Sequence, residues 1–182
     1  DCYWYEEKAM SALLQNIDRF EIDLCVRVNR LCRHSAVRNV FAVVSKLGDG
    51  YFWFALATVF VLAQTDNVSA FFLRALLTAA VGLVIYRSLK NRLVRERPYI
   101  AHAGIACGTA PLDRYSFPSG HTLHAVSFSI LFCNYEPAVT IIVVPFALLV
   151  AASRIVLGLH YPTDVLAGAA IGALLAVVAI SF

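Results

Sequence analysis

Charge is scarce in this chain. Of its 182 residues only 15% are charged and 60% are hydrophobic, with a mean hydropathy of +0.71. An ordinary soluble domain is about 25% charged and about 45–50% apolar. The shortage excludes a soluble globule and points to a polytopic membrane protein of one domain. The formal net charge is only +3 and no array of basic and aromatic residues is present, so nucleic acid is not an expected partner. There is no HExxH, no cluster of carboxylates and no EF-hand loop. No metal and no other cofactor is therefore expected. Cys2, Cys25, Cys32, Cys107 and Cys133 include no CxxC pair, which argues against a zinc site or disulfide framework and for small apolar fillers. No cleavable signal peptide is visible, and without an initiator Met the expectation is a trimmed chain.

Long apolar runs are what the chain has instead. Residues 9–35 interleave Asp18, Arg19, Glu21, Asp23, Arg27, Arg30 and Arg33 with Leu13, Ile17, Phe20, Leu24 and Val28. So many charges will not cross a bilayer. The segment reads as an amphipathic helix in the membrane interface, with a soluble helix packed on the protein as the alternative. Four or five spans follow, at about 20 apolar residues per crossing: 37–63, 70–89, 119–135, 138–157 and 162–182. Gly48 and Gly50 interrupt the first and mark a kink or break. QTDNVS makes a short loop, and 91–118 a polar loop with Gly104, Gly108 and Pro111. The 119–135 span is short, roughly 25 Å by helix rise. Pro145 predicts a kink, and Gly168 and Gly172 permit close helix packing. The expected fold is an all-α polytopic membrane bundle of about five to six helices. It forms one domain, with 1–35 as the interfacial segment and 36–182 as the transmembrane bundle.

Three polar runs sit at the ends of these spans: KNRLVRERP at 90–98, PSGH at 118–121 and SRIVLGLHYPTD at 153–164. Ionisable groups beside apolar segments are costly and usually functional. One crossing per span puts Lys90, PSGH, Arg154 and Asp164 on the same side of the membrane, as a single site requires. Three cations, a Ser-Gly helix start and a His followed by a carboxylate would hold a phosphate and break a bond to it. Arg97 and Arg154 offer planar forks and Lys90 a point charge. Ser119 suits an N-cap, Gly120 allows close backbone approach, and a helix start binds anions. Pro162 fits the first turn of the last span, from which Asp164 can accept a hydrogen bond from His160. Taken singly, these residues also read as snorkelling cations, a plain helix start and a capping Asp. Snorkelling fits Arg87, Arg92 and Arg95 better, and they stay outside the site. His124 reads as a packing residue and Asp49 as structural; His34, His102, Asp113 and Arg114 carry no specific signal.

The spacing adds a name. Lys90, six residues, Arg97-Pro98; then PSGH; then Ser153-Arg154, five residues, His160, three residues, Asp164. In this order the chain resembles the type 2 phosphatidic acid phosphatases, or PAP2 phosphatases. That superfamily also contains vanadium haloperoxidases, bacterial acid phosphatases and glucose-6-phosphatase. The resemblance implies that His160 attacks phosphorus and forms a phosphohistidine, with Asp164 fixing its tautomer. It implies His121 as general acid, and Lys90, Arg97, Ser119, Gly120 and Arg154 as the phosphate site.

With the site at a membrane face and little soluble mass, the expected partners are the lipid bilayer and a membrane lipid phosphate. The short chain resembles small bacterial members of the family. Undecaprenyl pyrophosphate is the favoured substrate, and phosphatidylglycerophosphate, phosphatidic acid or lipid A the alternatives. A lipid phosphotransferase would use the same His pair; products formed with and without acceptors separate the two. A non-catalytic scaffold or transporter would more naturally have lost a motif residue. The expected location is the bacterial cytoplasmic membrane, multi-pass. Family precedent puts the site on the periplasmic face. The positive-inside rule, counted over Arg19, Arg27, Arg30, Arg33, Arg38, Arg92, Arg95 and Arg114, favours the cytoplasm. The periplasmic face is taken as the expectation.

Overall fold

The computed structural model describes residues 2–63 and 68–182, with side chains from Gln15 onward, Val68 excepted. Residues 64–67 of the expected QTDNVS loop and the Cys2 side chain lie outside the described residues. The helices run in the order α1 (Cys2–Asn29), α2 (Ser35–Lys46), α3 (Phe52–Leu62), α4 (Val68–Arg92), α5 (Pro98–Ala101), α6 (Gly120–Tyr135), α7 (Thr140–Val156) and α8 (Pro162–Ile180). The all-α bundle expected from the apolar runs is what forms.

Ser35–Leu62, Ser69–Arg92, Pro137–Val156 and Pro162–Ile180 are each long and apolar enough to cross a membrane. Their outer faces carry exposed Leu62, Leu76, Val84, Ile141, Leu148 and Leu166, which lipid can cover. This is a multi-pass membrane protein. The third expected span, α6, has only 16 residues, about 24 Å of helix. It packs among α4, α7 and α8, with Leu123, Ala125, Leu131 and Phe132 buried. A helix sheathed by protein does not have to match the lipid thickness, which explains its length.

The first span breaks where its glycines predict. A π-helical turn at Leu47–Tyr51 separates α2 from α3, and Gly50 has φ 127°, a conformation that favours glycine. α6 and α8 meet backbone to backbone. A Cβ on Gly168 would collide with the Ser119 carbonyl oxygen, and one on Gly172 with that of Leu123. Near the C-terminal end of α6, Phe71 lies 4.8 Å from Phe132 and 4.6 Å from Tyr135 between ring centroids. This aromatic cluster ties α4 to α6 away from the motif residues.

α1 packs across the motif end. Glu21, Cys25 and Asn29, one turn apart, face inward and are buried. Asp23 and Arg27 pair on the exposed side at 2.6 Å. The Asn29 amide donates to the carbonyls of Ala106 and Val156, both at 2.9 Å, and its oxygen accepts the Ala106 N–H at 2.7 Å. One side chain thereby pins the 102–119 loop to the end of α7.

The α6–α8 contact makes a direct prediction. Gly172→Ala should destabilise the protein by about 1–3 kcal/mol through overpacking. Gly104→Ala is the control, since a Cβ there meets nothing within 4 Å. Thermal unfolding in detergent compares the two; equal midpoints would contradict the backbone contact.

Candidate active site

Four helix ends and one turn supply the site. Lys90 lies in the last turn of α4, Arg97 precedes α5, His121 is in the first turn of α6 and Arg154 in the last turn of α7. His160 follows a turn in which Gly158 has φ 72°. That turn folds the Leu159 and His160 N–H groups back onto the Arg154 carbonyl, at 3.0 and 3.1 Å. Lys90, Arg97, Gly120, His121, Arg154 and His160 line a single cavity of about 530 Å³.

His160 is 1% exposed. Its Nε2 lies 3.2 Å from Arg97 Nη1, which also donates to the Leu159 carbonyl at 2.8 Å. A guanidinium has no lone pair to offer, so Nε2 accepts here and Nδ1 carries the proton. Burial first, and then the charges of Arg154, Arg97 and Lys90, hold the imidazole well below the ordinary histidine range. The ring is therefore neutral, with its lone pair among the cations. Nδ1 is 3.7 Å from Asp164 Oδ2 and has no hydrogen-bond partner among the described residues. The spacing places Asp164 beside His160, but the two do not form a hydrogen bond. Asp164 is otherwise engaged: Oδ2 accepts the Tyr161 N–H at 2.8 Å and Oδ1 accepts Arg95 Nη1 at 2.7 Å.

The cations hold an internal carboxylate. Lys90 Nζ and Arg97 Nη2 each donate to Asp113 at 2.7 Å, and Arg97 Nε donates to the Asp113 carbonyl at 3.0 Å. Burial works against the Asp113 charge, but the bonds from Lys90 and Arg97 hold its carboxyl below the ordinary range. Arg154 donates through Nη1 to the Ser45 hydroxyl. Its Nε has no partner among the described residues although the side chain is buried. An unpaired buried donor is costly, so this N–H marks a place for an acceptor.

PSGH divides in function. Gly120 and His121 line the cavity, and Ser119 does not. The Ser119 hydroxyl pairs with Thr122 Oγ1 at 2.9 Å and caps α6, while its N–H donates to the Asp164 carbonyl at 3.0 Å. His121 Nε2 is in contact with Asp49 Oδ1.

Four contributors escape the sequence reading. Arg95, set aside as a snorkelling cation, bridges Asp164 to Glu21 of α1 and stacks 4.0 Å over the Tyr161 ring. Glu21 also accepts the Thr163 hydroxyl at 2.6 Å. Asp113 enters from a loop whose composition gives no signal. Asp49 does carry one, as the one acidic residue within the apolar run 37–63. His124 stacks on Phe128, 5.9 Å between centroids, and lines the cavity. Arg87 is exposed and not among the lining residues.

Away from the cations the cavity is apolar. Phe54 of α3, Leu76, Ala79, Ala80 and Leu83 of α4 and Phe128 of α6 line it. Phe54 and Leu76 are also exposed on the outer face, so the cavity opens sideways between α3 and α4. The arrangement can hold a dianion at its deep end with an apolar appendage leading outward.

A sequence profile described as the PAP2 superfamily matches residues 71–182. The chain is 38% identical over 121 residues to a decaprenylphosphoryl-5-phosphoribose phosphatase from Mycolicibacterium smegmatis, covering 64% of this chain and 62% of that protein. It is 26% identical over 161 residues to an undecaprenyl-diphosphatase from Sulfolobus acidocaldarius, covering 87% and 75%. The crystal structure of Aquifex aeolicus LpxE superposes with a TM-score of 0.73 at 28% identity, covering 88% of this chain and 94% of that one. The profile spans more than half of the chain and takes in each of the three motifs, and on that ground this protein belongs to the PAP2 superfamily.

Proposed function

We propose that this protein is an integral-membrane, metal-independent lipid phosphatase, acting on a phosphate monoester or diphosphate through a phosphohistidine at His160. The observation that carries the reading is the buried His160 Nε2 set against the Arg97 guanidinium, at the inner end of a groove that leads out between apolar side chains of α3 and α4. Lys90, Arg97 and the unpaired Arg154 Nε–H bind the phosphoryl oxygens, taking the place of a metal ion; Gly120 gives them room. The His160 Nε2 lone pair forms the N–P bond as the bond from phosphorus to the leaving oxygen breaks. His121, protonated, gives that oxygen its proton. A water then loses a proton to His121 and attacks phosphorus, the N–P bond breaks, and inorganic phosphate leaves. The Asp164 charge stabilises the ring while it is positive, and Arg95 holds that carboxylate in place. Ser119 acts indirectly, by tying α6 to the start of α8.

The groove supports a substrate whose tail stays in the bilayer. Both curated relatives named above have a prenyl chain in the name of their substrate, which favours a polyprenyl-linked phosphate. Undecaprenyl pyrophosphate is our first choice. The chain is read as one domain over 1–182, with residues 1–35 at the membrane interface. The site is assigned to the periplasmic face of a bacterial cytoplasmic membrane, and labelling of the exposed Cys107 from outside intact cells tests that assignment.

Purified protein should release phosphate from undecaprenyl pyrophosphate in excess EDTA, faster than from phosphatidylglycerophosphate, phosphatidic acid or lipid A. Vanadate should inhibit it, since its five-coordinate form resembles the transferring group. Loss on chelation that a divalent metal restores would overturn the mechanism. A faster lipid elsewhere in the panel would replace the substrate and leave the chemistry intact.

Asp164→Asn should lower turnover roughly a hundredfold or more, by analogy with triad carboxylates, with much less change in vanadate affinity. Arg95→Ala should reproduce this split more mildly, about ten- to a hundredfold, and Arg95→Lys should recover part of it. Near-wild-type turnover in Asp164→Asn would make it a helix cap alone. Parallel losses of turnover and vanadate affinity in Arg95→Ala would make Arg95 merely structural.

A further inference from the structure

We propose that Asp49 is a positioning residue for His121, orienting its ring and favouring the protonated state that the general acid needs. This rests on the phosphatase reading above. Asp49 belongs to the Gly48-Asp49-Gly50 break between α2 and α3, outside the residues that the family profile matches. The break is built to present it. Gly48 is buried, where a Cβ would lie 3.0 Å from Val150, and Gly50 takes φ 127°. The helical path is thereby interrupted at the depth of the site, and the Asp49 carboxylate reaches His121 Nε2.

The electrostatics of the cavity require such a partner. His121 is largely buried and shares its walls with Arg97 and Arg154, and burial first and then these cations oppose a positive charge on it. A general acid must nevertheless carry its proton before the first step. Asp49 is the one carboxylate in contact with His121 among the described residues. Asp113 is taken by Lys90 and Arg97, and Asp164 by Arg95. With Nε2–H directed at Asp49, Nδ1 is the nitrogen left to give its proton to the leaving oxygen and to take one from water. Asp49 also lines both the main cavity and a second one of about 350 Å³ shared with Ser45, Lys46 and Thr109. It thus stands where His121 meets both spaces.

The test compares leaving groups. Asp49→Asn should lose about ten- to a hundredfold in turnover on an alkyl or lipid phosphate, the scale of partial loss of acid catalysis. The loss on p-nitrophenyl phosphate, whose leaving group needs no proton, should be a few-fold at most. Asp49→Glu should recover part of the loss. In a His121→Ala background, Asp49→Asn should cost little more, because the two act as one unit. Vanadate affinity checks that each variant is folded, and Asp49→Ser replaces Asp49→Asn if that variant is lost. Equal losses on both leaving groups, additivity with His121→Ala, or no loss at all would overturn the proposal. If wild-type protein hydrolyses no phosphate ester, the function reading itself fails, a result distinct from each of these.

Discussion

Lys90, Arg97 and Arg154 repel one another, and much of the structure answers that repulsion. Two like charges about 5 Å apart cost about 3 kcal/mol at an effective dielectric near 20. Asp113 offsets two of the three, with one oxygen toward each. Lys90 and Arg154 also sit in the last turns of α4 and α7, where the helix carbonyls favour positive charge. His160 adds no charge of its own, an outcome of its burial first and then of the same crowd of cations. An incoming phosphate would relieve all of these strains together, by supplying the acceptors that Arg154 Nε lacks and that Asp113 replaces only in part. Binding energy and catalytic readiness then have one source.

Backbone contact fixes the positions of the two histidines. Gly168 and Gly172 let α8 touch α6, and the Ser119 N–H bond to the Asp164 carbonyl ties the helix starts together. The His121–His160 relation is thus set by helix packing and not by the long 102–119 loop. Asn29 restrains that loop, and Glu21 anchors Arg95. The N-terminal third, through Glu21, Ser45 and Asp49, is part of the site although the family profile begins at residue 71.

The cations and histidines are legible in the sequence because each sits at or a few residues beyond a span end, and a hydropathy argument alone puts those ends on one side. The break at Gly48–Gly50 and the glycine face of α8 are legible for a similar reason: a residue without a side chain inside an apolar run needs a packing cause. The carboxylates are less so. Asp113 and Glu21 reach their cations across 16 to 74 positions, and nothing local distinguishes them from solvated acids. Asp49 offers a signal, but its partner cannot be named until α6 is placed. The His160–Asp164 spacing brings the two side chains to 3.7 Å without the expected hydrogen bond. It could not foretell that Arg95 and the Tyr161 N–H would take both carboxylate oxygens. The shortness of α6 is visible in the sequence, and its cause lies only in the helices that surround it.

The central claim is covalent: phosphate passes through His160 Nε2. Rapid quenching with a phosphate-labelled substrate tests it most directly. The account predicts a labelled protein that loses its label in acid, keeps it in alkali, and maps to the peptide containing His160. It predicts no such species in His160→Ala. Label on another residue, or single-turnover hydrolysis with no phosphoenzyme in a variant slowed at the second step, would contradict it.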